Sequence, residues 1–265
     1  MSAPDIAPGA RSSLLGRTNA VVKLAGALLL TVVLVVSADP VTSGVVLAGE
    51  LLLLGLAGQH PVTLLLRAWP VLVAALVSGW GTALLAVDSG PVLLDLGLTE
   101  LSAGSVTAGA AIALRGLALA LPGLLVLLTT DPTDLADGLA QTLRLPARFV
   151  LASLAALRLV GVMFTEWSTL AMARRARGAG TGRGPVGVLR EFGGQAFTLL
   201  VQSLRRATRL SVTMEARGFG AGPRTWARVP RYSWRDVVVL VGCAAVAVAG
   251  PVVSVLLGAH RFIWA

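Results

Sequence analysis

The chain has 265 residues, of which 55% are hydrophobic and 13% charged, and its mean hydropathy is +0.82. Soluble domains carry about 25% Asp, Glu, Lys and Arg, so this composition excludes an ordinary soluble globule and places the chain in the membrane class. The net charge of +9 is concentrated: sixteen of the 22 basic residues lie from Arg144 to Arg235, against six acidic residues in 131–235.

Taken in chain order, 1–19 read as an N-terminal tail ending in basic residues, followed by four apolar segments at Ala20–Ala38, Val41–Ala57, Leu64–Val87 and Val106–Leu128. A fifth apolar segment, Val237–Gly258, closes the chain. Each is long enough to cross a hydrocarbon core of roughly 30 Å as a helix. Asp39-Pro40, His60-Pro61 and Asp88-Ser89-Gly90-Pro91 supply the turns between them. Leu24–Val36 behind Arg11, Arg17 and Lys23, with Ser37-Ala38 after it, has the outline of a cleaved signal peptide. The chain returns at once to the membrane, however, and a signal anchor fits better. The expected organisation is a tail (1–19), a four-helix membrane region (20–130), a cytoplasmic region (131–235), and a last span with a short tail (236–265).

Loop charges set the expected orientation. Arg11, Arg17 and Lys23 place the N-terminus in the cytoplasm, and the loop with Arg67 is inside. The loop with Asp88, Asp95 and Glu100 has no basic residue and is outside. Phe149–Ala173 is apolar enough to pass as a sixth span. Crossing there would export Arg174, Arg175, Arg177, Arg183 and Arg190 and bury Arg158 and Glu166 at a cost of several kcal/mol. It is expected to lie along the cytoplasmic face. The next helix, Val186–Arg217, carries Arg205, Arg206 and Arg209 in its middle and is not a span.

These two long helices, Arg148–Arg177 and Val186–Arg217, end alike. Arg-Arg-Ala-Arg-Gly-Ala-Gly closes the first and Met-Glu-Ala-Arg-Gly-Phe-Gly the second. A Gly just past a helix adopts the left-handed conformation that ends it, and an Arg in the last turn complements the helix dipole by about 0.3–1 kcal/mol. Those effects explain either end singly, but not their recurrence. Small neighbours would also let each tip enter a partner's groove, where the guanidinium forms forked bonds to a carboxylate or to carbonyls. Ala152, Ala156 and Gly161 would allow two crossed helices to approach closely.

The paired Ala176-Arg177-Gly178 and Ala216-Arg217-Gly218 motifs resemble the coupling helices of EcfT-type (CbiQ/BioN-like) proteins, the transmembrane coupling components of energy-coupling-factor importers. Arg17 through Lys23-Leu24, Arg115 with Thr129-Thr130-Asp131-Pro132, and Asp134–Pro146 resemble that family's first span, fourth span with its exit, and short first coupling helix. The resemblance covers nearly the whole chain. It implies an all-α integral membrane protein with about five spans and long crossed cytoplasmic helices. It further implies that each Arg tip docks on one of two ABC ATPase subunits. The other helix ends would support a membrane-embedded substrate-binding S component for a vitamin or a transition metal.

Other chemistry is poorly supported. Lys23 is the only lysine, so there is no phosphate loop. Gly182-Arg183-Gly184-Pro185-Val186-Gly187 matches a dinucleotide fingerprint in form only, since it follows a helix and contains Pro185. There is no G-x-S for a nucleophile elbow. Cys243, alone in an apolar run, reads as a small buried hydrophobe. His60 and His260 flank membrane ends on opposite sides and read as interfacial residues. No cofactor, metal or nucleic acid is expected, and the cationic segment suits anionic headgroups and acidic partners. Arg115, inside the fourth span, reads equally as a contact to the S component or as a structural bond to helix carbonyls. A stand-alone transporter would need repeat symmetry, and an intramembrane enzyme would need converging ionisable groups inside the spans. The sequence offers neither, apart from Glu50 near the second span.

The topology is testable with cysteines introduced singly at Ser89 and Thr181. A membrane-impermeant thiol reagent added to intact cells is expected to label position 89 and spare position 181; labelling at 181 would reverse the orientation.

Overall fold

The computed structural model describes residues 16, 18–37, 39–58, 66, 68–86, 91–95, 100–178, 184–222, 225–226, 228–230 and 232–258. His60, His260 and residues 181–183 of the glycine-rich connection lie outside the described residues. The protein is an all-α membrane protein. Among the described residues its helices are α1 (Ala20–Val36), α2 (Pro40–Leu56), α3 (Trp69–Leu85), α4 (Ala103–Thr129), α5 (Pro132–Gln141), α6 (Ala147–Ala176), α7 (Pro185–Ala216) and α8 (Trp234–Leu256). α4, α6 and α8 are each long and apolar enough to cross a membrane. α1, α2 and α3 have 17 residues apiece, a rise of about 25 Å that suits the thinner end of the hydrocarbon range.

Between α3 and α4 runs a short antiparallel pair, β1 (Val92–Asp95) and β2 (Glu100–Ser102). The sequence reading had only a loop here. Opposing Leu94↔Leu101 and Asp95↔Glu100 lets the connection satisfy its own backbone before Ser102 caps α4.

The chain divides into two compact units, one holding Ile6–Gly138 with Pro230–Ala265 and the other Leu139–Val229. In the first, α4 packs on α1, α2 and α3, and α8 packs on α1 and α2. Its core is made by Leu30, Leu34, Val46, Leu47, Leu54, Ala118, Leu121 and Ala247. Lipid tails are as apolar as leucine, so helix association rests on close fit rather than on hydrophobic exclusion. Gly79 of α3 and Gly109 of α4 meet almost backbone to backbone: a Cβ at Gly109 would lie 2.4 Å from the Gly79 carbonyl oxygen. Gly49 against Val246, and Gly250 against Val46 and Thr42, seat α2 on α8 in the same way.

The N-termini of α1, α2, α4 and α8 are capped by side chains. Asn19 accepts from the Val21 N–H, Ser102 and Ser105 form a reciprocal box on α4, and Ser233 with Asp236 forms one on α8. Asp39 caps α2 through the Thr42 N–H at 2.8 Å and also accepts from the Thr42 hydroxyl at 2.6 Å. Burial alone would raise the Asp39 carboxyl, but the neighbouring Ser254 hydroxyl and the hydrogen bonds from Thr42 outweigh it and hold the group below the usual carboxylate range. Glu50 lies inside α2 rather than near its edge. It is fully buried, and neither carboxyl oxygen has a hydrogen-bond partner among the described residues.

The glycine contact gives a direct test. Gly109→Ala is expected to destabilise the bundle by about 1–3 kcal/mol. Gly116→Ala, whose added Cβ would find only Ala75 at 3.9 Å, is expected to be neutral. Thermal unfolding in detergent, followed by tryptophan fluorescence, separates them; equal midpoints would contradict the close-contact packing.

Candidate coupling site

α6 and α7, of 30 and 32 residues, are each about 45 Å long. They cross within their unit through specific contacts. Arg206 of α7 pairs with Glu166 of α6. The rings of Trp167 and Phe192 stand 5.0 Å apart at 53°. The Arg174 guanidinium covers Gly194, where a Cβ would meet its terminal nitrogens at 3.1 Å. The close approach expected at Ala152, Ala156 and Gly161 is not found: all three are exposed, and a Cβ at Gly161 would meet nothing within 4 Å. Gly194, on the other helix, is the glycine that admits a partner, because a cationic side chain lies across it.

The two tips share one local geometry. Arg177 and Arg217 both sit at the C-cap with φ −88° and ψ 9°. Gly178 and Gly218 follow at φ 74° and 71°, the left-handed conformation expected of them. The Gly178 N–H donates to the Arg175 carbonyl at 3.0 Å, and the Gly218 N–H to that of Glu215 at 2.9 Å. On α7 the Phe219 N–H also returns to the Met214 carbonyl at 3.0 Å, completing a Schellman closure. Ala176, Arg177, Gly178, Ala216, Arg217 and Gly218 are all exposed.

Arg217 lines a groove of about 1020 Å³ with Arg148, Ser211, Met214, Phe219 and Thr225. Further along the same helices, Phe149, Phe164, Val188, Leu189, Phe197 and Leu204 are exposed. A basic pair of helices therefore also presents apolar surface.

Arg115 belongs to the bundle, where its guanidinium donates to the Val35 carbonyl at the end of α1, 3.2 Å away. The bond to a helix carbonyl, one of the two readings weighed for it, is thus made.

One polar cluster was not assembled by sequence reasoning. Lys23 of α1 is buried, and its ammonium donates to the Thr129 carbonyl at 2.8 Å. Asp134 of α5 and Asp236 of α8 act on it electrostatically. Asp236 in turn accepts from the Asn19 and Ser233 N–H groups, each at 2.6 Å. The available signal is a lone lysine four residues into an apolar span, which carries orientation and family resemblance in the sequence but names no partner there.

A family model for cobalt transport proteins, CbiQ, matches residues 11–226 of this chain. The chain belongs to this family. The energy-coupling factor transporter transmembrane protein EcfT of Bacillus selenitireducens is 28% identical over 240 residues, covering 86% of this chain and 88% of that protein. EcfT of Bacillus subtilis is 27% identical over 173 residues, 62% of this chain and 65% of its own. EcfT of Brevibacillus brevis is 33% identical over 126 residues, 44% and 48% respectively. This CbiQ-family chain is accordingly a membrane component of a transporter, of the EcfT type, and the family match contains both Ala-Arg-Gly ends.

The left-handed glycines can be tested apart from any partner. Gly218→Ala is expected to cost about 1–2 kcal/mol in the last turn of α7, and Gly218→Asn less, because Asn tolerates the same conformation. Hydrogen exchange of the amides of 215–219 measures this; equal protection in all three chains would contradict the Schellman closure.

Proposed function

We propose that this chain is the coupling subunit of an energy-coupling-factor importer. In this reading Arg177 and Arg217 dock on two separate ABC ATPase subunits, and the protein performs no chemistry of its own. It transmits their closure to a membrane-embedded S component that binds a vitamin or a transition-metal ion. The N-terminus and 131–235 face the cytoplasm, with α6 lying along the membrane surface. The family's description as cobalt transport proteins is consistent with a metal cargo. The cargo-binding pocket itself would belong to the S component.

The observation that carries this reading is the duplicated tip. Two long helices present the same Arg, in the same backbone conformation, beside small exposed neighbours. Such a tip offers a planar five-donor fork at the end of a rigid rod, suited to a groove that ends in carboxylates or carbonyls. Two equivalent tips suit two equivalent receptors.

Removing either fork is expected to cost association far more than helix stability. Losing the dipole contact of Arg217 costs about 1 kcal/mol or less. Losing a charge-assisted bond in a desolvated groove costs about 2–5 kcal/mol. Arg217→Ala should therefore abolish uptake while membrane insertion stays normal, and Arg177→Ala with Arg217→Ala should release the ATPases altogether. Lysine at either site should rescue only in part, since it keeps the charge and loses the fork. Uptake measured beside ATPase co-purification tests this; wild-type values in the double variant would refute the docking role.

A further inference from the structure

The cluster at Lys23 lies far along the sequence from both Ala-Arg-Gly ends, and nothing in the docking reading uses it. Thr129 ends α4, and its carbonyl is one of the four that a helix leaves without an internal partner. Lys23 satisfies that carbonyl from α1 and places a cation at the negative end of the α4 dipole. Asp131 then opens α5 by accepting from the Thr133 N–H at 2.7 Å.

α5 is held against the start of α1 at close range. A Cβ at Gly138 would stand 2.5 Å from a Val21 methyl and 3.8 Å from the Val21 Cβ, and Ala136 is buried beside it in the sequence. Asp134, in the first turn of α5, supplies one of the two negative charges that act on the ammonium. Asp236 supplies the other while tying the first turn of α8 to the Asn19 N–H just ahead of α1. One buried cation therefore joins the start of α1 to the end of α4, while the Asn19–Asp236 bond ties the first turn of α8 to α1 and the Gly138–Val21 contact seats α5 on it. α5 is also the segment through which the chain passes from the membrane bundle toward α6 and α7.

We infer that Lys23 is a positioning residue for coupling: by holding the end of α4, from which α5 leaves, against α1, it latches the start of α5 to the bundle, so that displacement of α5 moves α1 and α4 together. This rests on the coupling reading above for its consequence in transport, but the latch itself is a claim about geometry. A purely structural lysine, needed only to close the bundle, would loosen all helix pairs alike. A latch loosens α5 against α1 and leaves the remaining bundle in place.

The test uses the full chain co-expressed with its ATPase and substrate-binding partners, on a Cys243→Ala background. Val21→Cys with Gly138→Cys reports α5 on α1, since the Cβ separation of 3.8 Å suits a disulfide. Gly49→Cys with Val246→Cys reports α2 on α8, away from the cluster. In Lys23→Met the first pair is expected to oxidise about tenfold more slowly, the shift expected from losing one hydrogen bond to a charged group. The second pair should be unchanged. Lys23→Arg, which still donates to a carbonyl, should restore the first pair. Uptake should fall with the cross-linking rate while ATP hydrolysis by the assembled complex continues. A wild-type rate for the first pair in Lys23→Met, or equal loss of both pairs, overturns the latch. Failure of the chain with native Lys23 to form an active complex would instead overturn the coupling reading on which its role in transport rests.

Discussion

An unsatisfied peptide group in hydrocarbon costs several kcal/mol, and that cost governs this molecule from end to end. It makes every apolar segment a helix and moves the difficult groups to the helix ends. There the bundle answers them one at a time: Asn19 and Asp39 cap α1 and α2, serine boxes cap α4 and α8, and Lys23 meets the last carbonyl of α4. Even the connection between α3 and α4 pairs its own backbone as a short ladder. Once the ends are satisfied, glycine and alanine let the helices meet closely enough for dispersion to hold them.

α6 and α7 have no side-chain cap at their N-termini, and their C-termini close on left-handed glycines, as α2 does at Gly58 and α8 at Gly258. A Schellman-type end needs no side chain to satisfy the last carbonyls, so the arginine at each C-cap is released for another use. That separates the two tips from the bundle cations. Lys23 and Arg115 are each committed to a carbonyl, whereas Arg177 and Arg217 stand exposed at the ends of rigid rods. Arg206, the third kind, is spent on holding the rods together through Glu166.

Hydropathy and turn residues placed the helices well, because a span of apolar residues in lipid has one backbone solution. α1 and α2 start within one residue of the apolar segments read for them, and α6 and α7 end one residue before the arginines that mark their tips. The left-handed Gly178 and Gly218 were legible for the same local reason. What could not be read were contacts made by long side chains across the fold. Glu166 was seen only as an ionisable residue in an apolar run, and its partner stands forty positions away on α7. Lys23 and Thr129 are 106 residues apart. Gly161 and Gly194 look equally suited to a helix crossing in the sequence; only the position of Arg174 distinguishes them. The β1–β2 pair was missed because a run of four residues carries too little period to separate strand from loop.

The central claim is that one chain carries two equivalent receptor-binding ends. Native mass spectrometry of the complex purified through this chain counts the receptors without perturbing either arginine. The account predicts one copy of this chain with two ATPase copies as the assembled species, dissociating through a species with one. A complex that binds a single ATPase at saturation, or none, would contradict it.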